Sequence, residues 1–180
     1  MKGFRVLLGV VAMAVVIVGC APKGSYPQET VDDGETVVHT VPGYDVMFPI
    51  PDDATAAEAM SGSAGQVYVH EEGGYTLSVE VLQADSPDAM LQRLTGLNPD
   101  HLTVMTTWQG NMPRYDLAWT CAGETGLLVC QAAVIDDGSY FYAVSAQIPE
   151  TFCAQYGELV ASCLADVRLT ENADSMFTAP

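Results

Sequence analysis

The sequence predicts an α+β domain built on a largely antiparallel sheet, with a short helix after the first hairpin and a C-terminal helix packed on the sheet. Three observations carry that expectation. From Val37 to Leu169 most apolar runs are short and alternate with polar residues, the period of a half-buried strand. The later runs are joined by brief turn segments, Gln109-Gly110-Asn111, Gly123-Glu124-Thr125-Gly126 and Asp136-Asp137-Gly138-Ser139, which force sequential strands to be antiparallel. Only two segments repeat their apolar residues at helical spacing.

Tyr44 to Phe48 alternates and stops at Pro49 and Pro51, so it is the first strand. Gln66–His70 and Gly74–Leu82 flank Glu71-Glu72-Gly73-Gly74 as a hairpin, with Tyr75, Leu77, Val79 and Val81 on one face. Asp85-Ser86-Pro87 then supplies an N-cap and a first-turn proline, Met90, Leu91 and Leu94 follow at helical spacing, and Gly96 ends the helix. Four strands come next: Leu102–Trp108, Arg114–Cys121, Leu127–Ile135 and Tyr140–Ile148. A helix from about Thr151 to Leu164 places Phe152, Tyr156, Leu159, Val160, Cys163 and Leu164 in one stripe, and Val167–Leu169 forms a last short strand.

The N-terminus reads as an export signal. Lys2 and Arg5 precede an apolar run of 13 residues, Val6 to Val18, shorter than the roughly 20 needed to span a bilayer. The run ends in Ile17-Val18-Gly19-Cys20, which resembles the lipobox of bacterial lipoproteins. That resemblance implies cleavage before Cys20 and a lipidated Cys20 as first residue of the mature chain, with acyl chains holding the protein to the bilayer. Residues 1–19 are then the signal peptide and 20–36 a lipidated cysteine with a flexible tether, at most about 50 Å long. Residues 37–170 form the single domain and 171–180 a disordered tail. The expected location is extracytoplasmic, anchored to the bacterial cell membrane.

The chain carries 6 Lys and Arg against 23 Asp and Glu, a net charge of −17. Loss of the signal leaves only Lys23, Arg93, Arg114 and Arg168 as cations. This excludes nucleic acid as a partner, because a phosphate backbone needs a basic footprint. It also leaves membrane attachment to the lipid, since anionic headgroups repel the body.

The element order resembles the Mog1/PsbP-like fold over roughly residues 40–170. The likeness is carried by the early strand ending in proline (Tyr44–Pro51), the hairpin, the short helix, the meander, and a C-terminal helix closing on Ser162-Cys163-Leu164-Ala165-Asp166-Val167-Arg168-Leu169. It implies a binding or assembly factor more than an enzyme, and it carries no site residues over.

Cys121, Cys130, Cys153 and Cys163 are an even set in an exported chain, and disulfides are the expected use. Their spacing lacks Cys-x₂₋₄-Cys and no histidine accompanies them, so a zinc site is not expected. An unbroken helix would hold Cys153 and Cys163 about 15 Å apart, beyond the roughly 7 Å that a bridge spans. That pairing requires a break, for example at Gly157. Otherwise 121–153 with 130–163, 121–163 with 130–153, or a cross-strand 121–130 bridge leaving the helix cysteines free all remain open.

No catalytic motif stands out. His70-Glu71-Glu72 lacks a second histidine at helical spacing, and Ser61-Gly62-Ser63-Ala64-Gly65 is not a nucleophile elbow. His39, His70 and His101 are isolated in sequence and read as solvated or hydrogen-bonded surface residues. The acid pairs at turns lack the ligand pattern of a calcium loop. No catalytic residue, metal or cofactor is expected. Tyr115 and Trp119 on one strand face, and Tyr140 with Tyr142 two strands on, are the candidate binding face if the sheet is uncovered there. The expected function is a non-enzymatic binding or assembly module of the cell envelope, with an envelope protein or small ligand as partner. The alternatives are a small extracellular hydrolase and an accessory subunit of a membrane transporter or export complex.

Overall fold

The computed structural model describes residues 28–31, 35–40, 43–57 and 65–171. Cys20, the signal segment, the first part of the tether and most of the tail lie outside the described residues.

The expected α+β architecture is present, with the strands divided between two antiparallel sheets. The smaller sheet contains β1 (Gln28–Thr30), β2 (Glu35–Val38), β3 (Tyr44–Pro49) and β11 (Arg168–Glu171), in the order β1-β2-β3-β11. The larger holds β4 (Ala54–Ala56), β5 (Gln66–His70), β6 (Thr76–Leu82), β7 (Thr103–Gln109), β8 (Met112–Ala122), β9 (Leu127–Asp136) and β10 (Phe141–Pro149), in the order β4-β5-β6-β10-β9-β8-β7. Strands β7 to β10 are the expected meander, and β10 closes it against β6 with Val144 opposite Val79.

The domain starts earlier than its hydrophobic pattern suggests. Strand β1 pairs with β2, Gln28 opposite Val38, inside the segment expected to be tether. Val37 and Val38 are buried, so β2 cannot be left as a bare edge, and β1 satisfies its backbone. The Tyr68 hydroxyl donates to the Gln28 side chain and fixes that strand to the larger sheet.

Each helix covers one face of the seven-stranded sheet. Helix α1 (Pro87–Thr95) has the expected caps: Ser86 accepts from the Ala89 N–H, and Gly96 takes the left-handed conformation at φ 73°. Its Met90 and Leu91 pack on Leu82, Leu117, Val134 and Phe141. Helix α2 (Cys153–Ala165) and the small sheet cover the other face. Tyr156, Val160 and Leu164 join Phe48, Leu77, Val79 and Ile135 in the larger core. Leu159, expected in the buried stripe, is instead exposed, because it lies beyond the strip of helix that meets the sheet.

Helix α2 ends without a glycine or a basic residue in its last turn. Arg114 of β8 takes that role. Its guanidinium donates to the carbonyls of Leu164 (2.7 Å), Val167 (2.9 Å) and Ala165 (3.2 Å), and to the Asp116 carboxylate at 2.8 Å. One cation thereby binds carbonyls at and just beyond the helix end, that of Leu164 also accepting the Val167 N–H, and offsets the negative end of the helix dipole. Arg168 of β11 pairs with Glu35 of β2 across the intervening β3. Arg93 of α1 donates to the Gln83 carbonyl at 3.1 Å and faces Glu80, whose carboxyl burial raises above its ordinary value.

Arg114→Met keeps the stem of the side chain and removes the hydrogen bonds to all four partners. We expect it to lower unfolding free energy by about 2–4 kcal/mol, from lost charged hydrogen bonds and an orphaned Asp116. Arg114→Lys should recover less than half of the loss, since an ammonium lacks the planar fork. Urea denaturation of the three proteins checks both.

Candidate interaction edge and a buried histidine cluster

The four aromatics expected to share a binding face do not. Tyr115 and Trp119 lie on the α1 side of the sheet, packed against the Leu117 and Val134 cluster. Tyr142 and Tyr140 pack into the opposite core. Tyr142 is buried, stands edge-on to Tyr44 at 6.1 Å, and donates to Asp137 at 3.0 Å. Burial and the Asp137 charge both push its hydroxyl pKa upward. Strand alternation divides the two pairs because they sit at opposite parity relative to the β8–β9–β10 register.

Of the histidines, His101 is exposed and His39 is half-buried and hydrogen-bonded, in keeping with solvated or hydrogen-bonded surface residues, whereas His70 is buried. His39 contacts the buried Asp45 carboxylate at 3.0 Å. His70 is buried at the end of β5, with Nε2 3.3 Å from Asp53. Its Nδ1 lies 3.2 Å and 3.3 Å from the N–H groups of Gly74 and Glu72. Those two donors require Nδ1 to accept, which assigns the proton to Nε2. Asp53 also accepts from the Tyr75 hydroxyl at 2.5 Å. The imidazole lies 4.7 Å from the Tyr156 ring and 5.1 Å from that of Tyr75.

An Asp–His pair of this kind is the start of a hydrolytic relay, but the relay needs a lone pair aimed at a nucleophile. Here backbone donors occupy it. Nearby Cys163 does not supply a nucleophile either, because burial pushes its thiol up to about 11. The cluster fastens the β5–β6 turn to α2.

Among the described residues no group of three or more His, Cys, Asp or Glu is arranged to hold a metal ion. A cleft of about 140 Å³ opens between the start of α1 and the β9–β10 turn, lined by Asp85, Ser86, Asp136, Ser139 and Phe141. It is smaller than the pockets that enclose drug-sized ligands. Ser86 and Asp136 already accept backbone N–H bonds there.

The four cysteines are thiols in the structure. Helix α2 runs unbroken through Gly157, holding Cys153 and Cys163 at opposite ends. Trp119 stands opposite Cys130 and Cys121 opposite Leu128, so both strand cysteines point to the α1 side of the sheet. Helix α2 lies on the other side, and the sheet stands between the two helix cysteines and the two strand cysteines. The sulfurs of Cys121 and Cys130 are 3.3 Å apart.

The feature that sequence reasoning missed is the free edge of β7. This seven-residue strand is the last of the larger sheet and pairs only with β8 among the described residues. Trp108 is 68% exposed and Met105 59% exposed. They differ by an odd number of residues, so one stands on each face of the strand. Thr103-Val104-Met105-Thr106-Thr107-Trp108-Gln109 contains no charge and no proline, the devices that normally blunt a sheet edge. The missing charge was visible in the sequence; that β7 is an edge was not.

No protein-family model matches the sequence, and no curated protein matches it. Solved structures do. The crystal structure of LpqN, involved in cell envelope biogenesis of Mycobacterium tuberculosis, is similar at 15% identity and a TM-score of 0.52, over 76% of this chain and 90% of that one. The solution structure of the cyanobacterial PsbP of Synechocystis is similar at 12% identity and a TM-score of 0.51, over 86% and 99%. The fold is Mog1/PsbP-like. The yeast Ran-binding protein Mog1p itself aligns at a TM-score of 0.45 and 16% identity, over 80% of this chain and 96% of its own.

Gly74 tests the histidine cluster. A Cβ there would stand 2.4 Å from the Tyr156 ring and 3.1 Å from His70 Nδ1. Gly74→Ala should cost about 2 kcal/mol or more by forcing the turn away from α2, whereas Gly73→Ala should be limited to the strain of its φ of 72°. Thermal melts of the two variants separate these outcomes.

Proposed function

We propose that this chain is a lipid-anchored, non-enzymatic accessory module of the bacterial cell envelope that docks an extended, cationic segment of an envelope protein along β7. The observation that carries the reading is the unprotected β7 edge, flanked on both faces by exposed apolar side chains. An added strand would pair with its backbone while Met105 and Trp108 grip the alternate side chains. The same edge invites self-association, which a net charge of −17 opposes and a cationic partner does not feel.

Electrostatics favour the same partner. Arg93, Arg114 and Arg168 are each engaged in holding elements together, so the outward charge is carried by carboxylates. The lipobox-like run ending at Cys20 supports attachment to the membrane, and among the described residues no helix is long and apolar enough to cross one. Likeness in fold to an envelope-biogenesis protein is in keeping with this setting. The occupied Nδ1 of His70 weighs against the hydrolase alternative.

In-cell cross-linking of the lipidated protein should recover one partner in near-equal amount. The double substitution Met105→Lys, Trp108→Lys should abolish that capture at unchanged Tm. A partner retained by the double variant, or no partner at all, would sink the docking edge. Cys20→Ala should move the protein from the membrane fraction to the soluble one; a variant that stays with the membrane would remove the lipid anchor from the reading.

A further inference from the structure

We propose that Cys121 and Cys130 are a dithiol pair that closes to a disulfide across the end of the β8–β9 hairpin on meeting a disulfide-bearing oxidant, while Cys153 and Cys163 stay thiols. The two sulfurs are already 3.3 Å apart, so closure to a bond of about 2.05 Å moves them by little more than 1 Å. They are diagonal neighbours on one face, Cys121 lying two residues beyond Trp119, which stands opposite Cys130. The intervening turn holds them there: the Gly123 N–H donates to the Gly126 carbonyl at 2.7 Å, and Leu128 packs against Gly123. Among the described residues the helix cysteines have no such neighbour, since the sheet and the length of α2 separate them from the strand sulfurs and from each other.

The pair has an entry and a resolving member. Cys121 is half-buried and reachable, whereas Cys130 is fully buried and its thiol is pushed up to about 12 by burial and by the Cys121 contact. The Cys121 thiolate attacks one sulfur of the oxidant's disulfide, forming a mixed disulfide and releasing the first thiolate. Cys130 then gives up its proton, and its sulfur displaces the second thiolate from Cys121. Two S–H bonds are lost, one S–S bond forms, and two electrons and two protons leave with the oxidant as two thiols. Only the encounter with such an oxidant rests on the extracytoplasmic reading above; the pairing does not.

The reduced full chain is incubated under native conditions with oxidised glutathione and followed by intact mass and peptide mapping. We expect a loss of about 2 Da and a single 121–130 link, with a Tm raised by roughly 5–10 °C. Cys130→Ser should stop at a stable glutathione adduct on Cys121, and Cys121→Ser should take up neither adduct nor link. Links to Cys153 or Cys163, an adduct at Cys130, or no closure in the wild type would overturn the pair. If the buried serine prevents folding of Cys130→Ser, the wild type and Cys121→Ser carry the test. Alkylation at the moment of lysis should then find Cys121 and Cys130 protected. Thiols there, alongside closure in vitro, would overturn the extracytoplasmic reading and leave the pair standing.

Discussion

The guanidinium of Arg114 is the junction on which the two sheets and the C-terminal helix depend. It projects from β8, next to the edge of the larger sheet, into the end of α2, and the chain it grips there continues directly into β11, the strand that completes the smaller sheet. Helix α2 has no side-chain cap at its first residue and no glycine at its last. Its position therefore rests on the apolar contacts of Tyr156, Val160 and Leu164 and on this one polar anchor. Apolar packing alone sets how deep a helix lies; directional bonds to its terminal carbonyls set where along the sheet it stops.

Committing the arginines to links between elements has a second effect. A chain with 23 acids and 6 basic residues would be expected to use its cations to dilute surface repulsion. Instead each described arginine joins elements distant in the chain or caps a loop, and the repulsion is left unrelieved outside. Asp45, Asp53 and Asp116 are drawn into hydrogen bonds with His39, His70 and Arg114, and Glu35 pairs with Arg168, so few of the 23 acids are paired by the fold. The surface that results is suited to opposing self-contact at β7 without any charge on that strand.

Local chemistry was legible in the sequence, and partner choice was not. The caps of α1, the four meander strands and the course of α2 follow from Ser86, Gly96, the turn glycines and apolar period, all of which act within a few residues. Strands β1 and β4 escaped notice because each is three residues long, Gln28-Glu29-Thr30 with no apolar residue and Ala54-Thr55-Ala56 with only small ones; each pairs with the backbone of its neighbour. Division into two sheets depends on β11 returning to β3, which no local signal marks. The aromatic pairs were assigned to faces correctly strand by strand, yet only the register between strands reveals that those faces are opposite. His70 is the same case: its partner Asp53 belongs to a different turn, brought near by the β4–β5 pairing.

The return of β11 to β3 also bears on the order in which the molecule can assemble. Glu35 meets Arg168 across 133 residues of chain, and Ser78 meets Ser145 across 67. Loop closure over such distances costs entropy before any contact repays it, so high-contact-order sheets form slowly. An N-terminal segment of this chain would wait for its last strand while the rest emerges from the ribosome. If the chain is exported as proposed above, that delay would lengthen the interval in which it is unfolded enough to be threaded through a membrane.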